Sequence, residues 1–367
     1  MTLQDFQKEF ERLAPPAIAW KGDNVGLQVG NAADRITNVM VALDATEEIV
    51  REAVRKRANL IVTHHPLIFH PLKSVTLSTR TGALITLLIE KRIHLYAAHT
   101  NLDSVRWGVN FSLATRLGLT DISVLSPVKD SLTKIVVFVP EQFVDPVAEA
   151  MHTAGAGTFT KYDHCSFRTA GTGTFRGMND ARPFLGTAGR LEKVNEVMLE
   201  MLCETWKVQS VLQAMKAVHP YEEIAYDIIP LANSNTEYGL GAIGELPKPL
   251  SEKGVLNLVK RKLNVAAVRY SSGKEKIKRI AVCGGSGSDY IQEAVVRGAD
   301  AMITADVKYH TFQDTEGKIL LVDAGHYETE HIVLPSLART IGTIIHAEDK
   351  KSKIFITEHT TNPIRYY

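Results

Sequence analysis

The sequence predicts an α/β protein built from two related lobes, with a smaller α+β segment inserted between them. Three observations carry that reading. Apolar runs of strand length alternate with helix-spaced segments near both ends of the chain, the order that builds parallel βαβ units. Several of those runs end in polar residues, histidines above all, at the strand edge where such sheets place ligands. Between residues 128 and 245 this grammar stops and a different one begins.

Composition sets the outer bounds. The chain has 367 residues, enough for one to three domains. Lysine plus arginine number 42 and aspartate plus glutamate 41, so nothing points to nucleic acid or an acidic membrane as the main partner. The cysteines, Cys165, Cys203 and Cys283, are scattered and odd in number. They suggest neither a disulfide framework nor a cysteine-rich zinc site, which fits a reducing cytoplasm. The stretch from Met1 to Phe6 lacks a basic-then-apolar leader pattern, and no apolar run reaches membrane-spanning length. A cytoplasmic location is the expectation.

In chain order, Leu3, Phe6, Phe10 and Leu13 recur at helical spacing, predicting a helix over 3–13 that Pro15-Pro16 ends. Lys21 to Gly30 is a glycine-punctuated loop and short strand. Val39–Leu43, Leu60–Thr63 and Ile93–Ala98 read as strands, with helices at Glu47–Arg57 and Thr81–Lys91 between them. Asp44-Ala45-Thr46 reads as a turn and helix cap. Near the C-terminus the pattern returns, with strands at Ile280–Cys283, Ala301–Thr304 and Ile319–Val322. Gly284–Ser288 is a glycine-rich turn and Asp289–Arg297 a helix.

The two regions align. Ala53 through His65 matches Ala294 through Asp306 without a gap. Ala98-His99, with Asp103 four residues on, parallels Gly325-His326, with Glu330 four residues on. This reads as an internal repeat. It gathers His64, His65, His99, Asp103, Asp306, His326 and Glu330 at one edge. Adjacent side chains of a strand point to opposite faces, so His64 and His65 can serve two ions, or one ion and a supporting contact, once Pro66 turns the chain. Nitrogen and carboxylate oxygen donors suit zinc, iron or manganese better than calcium. A polar cluster that merely caps the strand ends is the alternative.

Five stretches specify a family: Gly22–Leu27, Val62–Pro66, His99–Asp103, Gly284–Ser288 and Gly325–Glu330. Together they resemble the NIF-three-like proteins, also called GTP cyclohydrolase 1 type 2 homologues, over nearly the whole chain. The resemblance implies a centre of two divalent metal ions, zinc first, with iron or manganese possible. It implies His65 and Asp103 on one ion, His64 and His326 on the other, and Glu330 bridging. His99 falls outside that ligand set and is expected beside it as a catalytic residue that orients ligands or moves protons. A ring-like homohexamer with the sites facing an internal cavity is also implied.

The division expected is 1–127, 128–245 and 246–367, the middle segment opening at Ser126-Pro127 and closing at Gly244–Pro249. Within it, strands at Lys134–Val139 and Ala225–Ile229 and helices at Pro146–Ala154 and Val208–Ala217 flank a less regular stretch, Leu191–Leu202. Strand, helix, strands, helix, strand is a ferredoxin-like order. Gly171–Phe175 and His219–Glu223 resemble the insert of longer family members, which looks like the PII and divalent-cation-tolerance folds and tends to trimerise. His219, Glu222 and Glu223 could bind a ligand, but His-Pro-Tyr is first of all turn chemistry.

The chemistry expected is hydrolysis of a nucleotide or other phosphate-containing small molecule, with Gly284–Ser288 able to cradle a phosphate on its backbone N–H groups. The alternative is a non-catalytic protein of metal storage, metal insertion or regulation.

Overall fold

The computed structural model describes residues 1–178 and 180–365. The chain forms two compact units, one from residues 1–127 together with the chain from Thr236 onward, the other from Val128 to Asn235.

The first unit begins with β1 (Gly26–Val29), β2 (Val39–Ala42), β3 (Leu60–Thr63) and β4 (His94–Ala97). β2, β3 and β4 run parallel, and β1 closes the β4 edge antiparallel. Every residue of β2, β3 and β4 is buried, as a parallel sheet covered on both faces requires. The crossovers are helices Glu47–Arg55 and Arg80–Glu90, each capped by a threonine hydroxyl, Thr46 and Thr79, that accepts a first-turn N–H. Ile49, Val50, Ala53, Ile85 and Leu88 pack from these helices onto Met40, Ile61 and Leu95. The helix Leu3–Leu13 sets Phe6 and Phe10 edge-on to Tyr96, with ring centroids 5.6 and 5.4 Å away. The last strand of the chain, Ile354–Ile356, returns to pair parallel with β2. β5 (Thr120–Val128) belongs to the other sheet of this unit.

The second unit holds β6 (Leu132–Pro140), β7 (Phe167–Arg176), β8 (Leu191–Glu204) and β9 (Tyr226–Leu231). They form an antiparallel sheet in the order β7-β8-β6-β9. Helices Val144–Thr153 and Val208–Val218 contribute Val147, Met151, Val211, Leu212 and Met215 to a core shared with Ile135, Val137, Leu199 and Met201 of the sheet. The unit ends at Asn235, ten residues short of the closing boundary expected at 245. The reason is pairing: the next strand commits Ala242–Glu245 to a ladder in the first unit.

That strand is β10 (Asn235–Leu250); β11 (Arg269–Ser271), β12 (Ile277–Ser286), β13 (Ala301–Ala305) and β14 (Leu320–Asp323) follow, and Ile354–Ile356 is β15. The second sheet runs β11-β14-β13-β12-β10-β5. β12, β13 and β14 are parallel, and β11 closes the β14 edge antiparallel, the plan that β1 to β4 follow. β12 is longer than expected and carries Gly284 and Gly285 inside the strand. A 3-10 turn at Ser288–Tyr290 then shortens the following helix to Ile291–Val296. Among the described residues, no helix is long and apolar enough to cross a membrane.

Candidate metal centre

The carboxyl ends of β3, β4 and β14 carry the chemistry. β3 delivers His64 and His65 directly. After β4 the chain turns at His99 into a single helical turn, Thr100–Asp103, which presents Asp103. After β14, Gly325 takes φ +89°, a left-handed conformation that glycine adopts freely, and opens the short helix His326–Glu330. Its ends, four residues apart, share one face.

These side chains converge. Glu330 places Oε1 3.7 Å from His64 Nε2, and Oε2 3.0 Å from His65 Nε2 and 3.1 Å from His326 Nε2. His64 Nε2 lies 3.7 Å from Asp103 Oδ1, and the two Nε2 atoms of His65 and His326 are 3.3 Å apart. His65, His326 and Glu330 form one group with metal-ligand spacing, and His64, His65 and His99 another. The distances therefore set Asp103 beside His64, and His326 beside His65. The resemblance implies the partition His65 with Asp103 and His64 with His326 about the bridging Glu330.

The ring nitrogens that face away from this point are all engaged. His64 Nδ1 donates to the Ala98 carbonyl at 2.9 Å, and His65 Nδ1 to Asp44 Oδ1 at 2.8 Å. His99 Nδ1 donates to Asp23 Oδ1 at 2.9 Å, and His326 Nδ1 to Asp306 Oδ2 at 2.6 Å. A proton held on Nδ1 leaves Nε2 with its lone pair directed inward, the tautomer a metal ligand needs.

Burial tests whether the residues fit an ion. His64 and Glu330 are 0 % and 4 % exposed. Yet His64 Nε2 and Asp103 Oδ1 have no hydrogen-bond partner among the described residues, and Glu330 Oε2 has only the two imidazoles at 3.0 and 3.1 Å. A buried polar atom left unpaired costs about 1–3 kcal/mol, more when charged. Two such atoms beside a buried carboxylate are an arrangement that a cation satisfies. The donors are imidazole nitrogen and carboxylate oxygen, which suits a first-row divalent ion.

Electrostatics agree. Burial opposes the charged form of His65, but the carboxylates of Asp44 and Glu330 outweigh it and lift its pKa to about 9. For His326 burial is outweighed by Asp306 and Glu330, and the pKa rises to about 10. Burial lifts Asp103 to about 7. Burial would also raise Glu330, but the imidazoles of His326, His64 and His65 hold its carboxyl well below the usual range. Protons on the imidazoles thus balance the buried carboxylate when nothing else does, and metal binding would release them.

In the Gly284–Ser288 stretch three backbone amides already have side-chain partners. Gly284 N–H donates to Asn110 Oδ1 at 2.9 Å, Gly285 N–H to Thr329 Oγ1 at 3.0 Å, and Gly287 N–H to Thr304 Oγ1 at 2.9 Å. These three amides are committed, which leaves less of the stretch to hold a phosphate. The glycines serve close approach instead: a Cβ at Gly285, where φ is +59°, would lie 2.1 Å from Glu330 Oε1. In the inserted unit, His219 Nε2 donates to the Phe138 carbonyl at 3.1 Å and Nδ1 accepts from Tyr221 N–H at 3.2 Å, so this histidine builds the turn.

Sequence reasoning passed over three supports. Asp44 has the sequence context of a turn and cap, yet it stands at the same edge as His64 and accepts from His65. Asp23 lies in a loop far from His99 in sequence. Asn110 is buried and spans the lobes: its Nδ2 donates to the Asp103 carbonyl while its Oδ1 accepts from Gly284. Hydrophilic residues at strand ends were the signal for Asp44; nothing local marks the other two.

Related proteins carry the same architecture. A Bacillus cereus protein related to NIF3 superposes with a TM-score of 0.88 at 36% identity, covering 100% of this chain and 99% of that one. The Bacillus subtilis (strain 168) protein named GTP cyclohydrolase 1 type 2 homolog is 39% identical over 360 residues, 97% of this chain and 96% of its own length. A Staphylococcus aureus (strain Mu50) protein of that name is 33% identical over the full length of both. The profile of one family spans residues 1–363, and with it the chain belongs to the Duf34/NIF3 (NGG1p interacting factor 3) family.

Proposed function

We propose that this protein holds two divalent metal ions on His64, His65, Asp103, His326 and Glu330, with Glu330 bridging, and uses them for hydrolysis. The observation that carries the reading is the convergence of three buried donor atoms, two of them unpartnered, at the end of two sheets. When bound, such ions supply Lewis acidity and lower the pKa of water. The chain's own residues do the rest. Asp44, Asp306 and the Ala98 carbonyl hold three imidazoles in the required tautomer. His99, about one-fifth exposed and fixed by Asp23, stands beside His64 and His65 with ring centroids 5.2 and 5.7 Å away. It is placed to take or give a proton at Nε2. Zinc is the first choice for the ions, with iron or manganese next.

The relatives' name points to a nucleotide, and we keep a phosphate-containing small molecule as the substrate class. The committed amides of the Gly284–Ser288 turn withdraw one support for it. That same observation favours the second reading, a metal-storage, metal-insertion or regulatory protein that needs no substrate-recognition loop. The inserted unit we read as ferredoxin-like and akin to the PII fold, supported by its strand order and two helices. The homohexamer rests on the family resemblance, and a cytoplasmic setting is supported by the free cysteines.

The deciding experiment pairs metal content with hydrolysis of a panel of nucleotides and phosphoesters, from pH 5 to 9. Wild type should carry two ions per chain, and Glu330→Ala should lose most of both. Activity should rise through an apparent pKa of about 7. His99→Ala should lower turnover by about 10²–10⁴-fold with little change in metal content. Rates no better than free metal in buffer, with fast transfer of the ions to an acceptor, would leave the carrier.

A further inference from the structure

The inserted unit contains a second cluster with metal-ligand character. His152 lies near the end of the helix Val144–Thr153, and Glu149 precedes it by one turn on the same face. His164 follows in the connection to β7, with Asp163 beside it. One donor atom from each of His152, Asp163 and His164 lies within 4.8 Å of the other two. The imidazole centroids of His152 and His164 are 3.4 Å apart. His164 Nε2 is 3.6 Å from Glu149 Oε2, and its Nδ1 is 3.4 Å from Asp163 Oδ1. Glu149, His152 and His164 line a surface cleft of about 460 Å³ together with Asp145 and Arg168.

We propose that His152 and His164, with Glu149 or Asp163, form a binding site for one borderline divalent transition ion, copper(II) or zinc(II). Three observations carry this. The first is chemical: two imidazoles with one or two carboxylates are the donors such ions prefer, and calcium or magnesium would ask for oxygen alone. The second is orientation. His152 Nδ1 donates to the Ala156 carbonyl at 3.1 Å, which fixes the proton there and leaves Nε2 as a lone-pair donor. His64 is prepared in the same way by Ala98 in the centre between the sheets. The third is proximity. Two imidazoles at this separation repel if both are protonated, and an ion bound to both turns that repulsion into shared coordination. The ion would sit at an exposed site, so it should exchange quickly and bind more weakly than the ions of the buried centre. By the usual order of affinities, copper(II) should hold tighter than zinc(II).

The test uses the full chain, purified with its resident metals and dialysed against buffered free zinc, then copper, from about 0.1 to 100 μM, a range that spans weak exchangeable sites. Wild type should take up about one ion per chain beyond the content it retains after dialysis without added metal. His164→Ala and His152→Ala should each lose that ion while keeping the resident metal. Glu330→Ala, which strips the other centre, should still bind it. Bound copper in the Glu330→Ala background should show nitrogen hyperfine coupling from two imidazoles, reduced in His164→Ala. His164 is exposed and outside the core, so its replacement should leave the fold intact; a melting curve checks this. Equal uptake by wild type and His164→Ala, or copper in Glu330→Ala without imidazole coupling, would overturn the assignment.

Discussion

The two lobes of the first unit follow one plan and end in different chemistry. In both, three parallel strands meet an antiparallel edge strand, and the registers correspond: Leu60 pairs with His94 as Ala301 pairs with Leu320, and Thr63 with Ala97 as Thr304 with Asp323. By this correspondence His65 occupies the place of Asp306, and His99 that of Gly325, one residue before His326. In the first lobe His65 faces Glu330 while His99 is held off by Asp23. In the second the roles reverse: His326 faces Glu330, and Asp306 supports it from behind. Asp306 does so with φ at +55°, a strained conformation for a residue with a side chain. Asp44 answers to Gly285. Where the first lobe has a carboxylate that orients a histidine, the second has bare backbone, because Glu330 fills the space. One strand edge thus offers a position for a donor, for its support or for empty room, and the partner lobe decides which.

The sharpest break of this comparison is Gly285→Ala. The added methyl meets Glu330 Oε1 and the left-handed backbone resists it. We expect the ions to be lost and the fold to be destabilised by roughly 1–3 kcal/mol, read by elemental analysis and denaturant unfolding. Full metal content would mean that Glu330 does not need that space.

A smaller effect is expected behind the histidines. Asp44→Asn and Asp306→Asn keep shape but remove the charge that orients His65 and His326. Each should weaken metal affinity by about 10–100-fold, measured by competition with a chelator. If only one lobe's aspartate mattered, the two supports would not be equivalent.

The least effect is on the metal-free protein. His65 and His326 have folded-state values of about 9 and 10, above the ordinary 6.5. Their contribution to stability is full below pH 6.5 and fades as pH rises through 9 and 10. Chelated protein should therefore lose stability between about pH 7 and 10, and metal-loaded protein should not, since bound metal replaces the protons. Thermal melts across that range decide it; parallel curves would argue against these ion pairs.

Much of this was legible in the sequence, for identifiable reasons. β2, β3, β4, β13 and β14 are short, wholly buried runs, and their apolar character marks them within a residue or so. The side chains that gather at the centre were visible because polar residues closing apolar strands stand out. Edges were harder. β5, β10 and β15 find partners far along the chain, and no local pattern announces such pairing. β8 is half exposed, so its alternation competes with helix spacing. The glycine turn misled, because a loop that clears room for a carboxylate and one that holds phosphate have the same composition.

The pairing of Ile354 to Ile356 with Val39 to Val41 also bears on synthesis. The strand that completes the first sheet lies some 300 residues beyond the one it pairs with. While the chain leaves the ribosome, β2 waits with an unpaired edge through the whole of the insert and the second lobe. Glu330 and His326 arrive just before that closing strand. The buried donors and the sheet that supports them are therefore finished together, once residues 326–356 have emerged. A chain released before Ile354 would expose the β2 edge as a template for pairing with other chains.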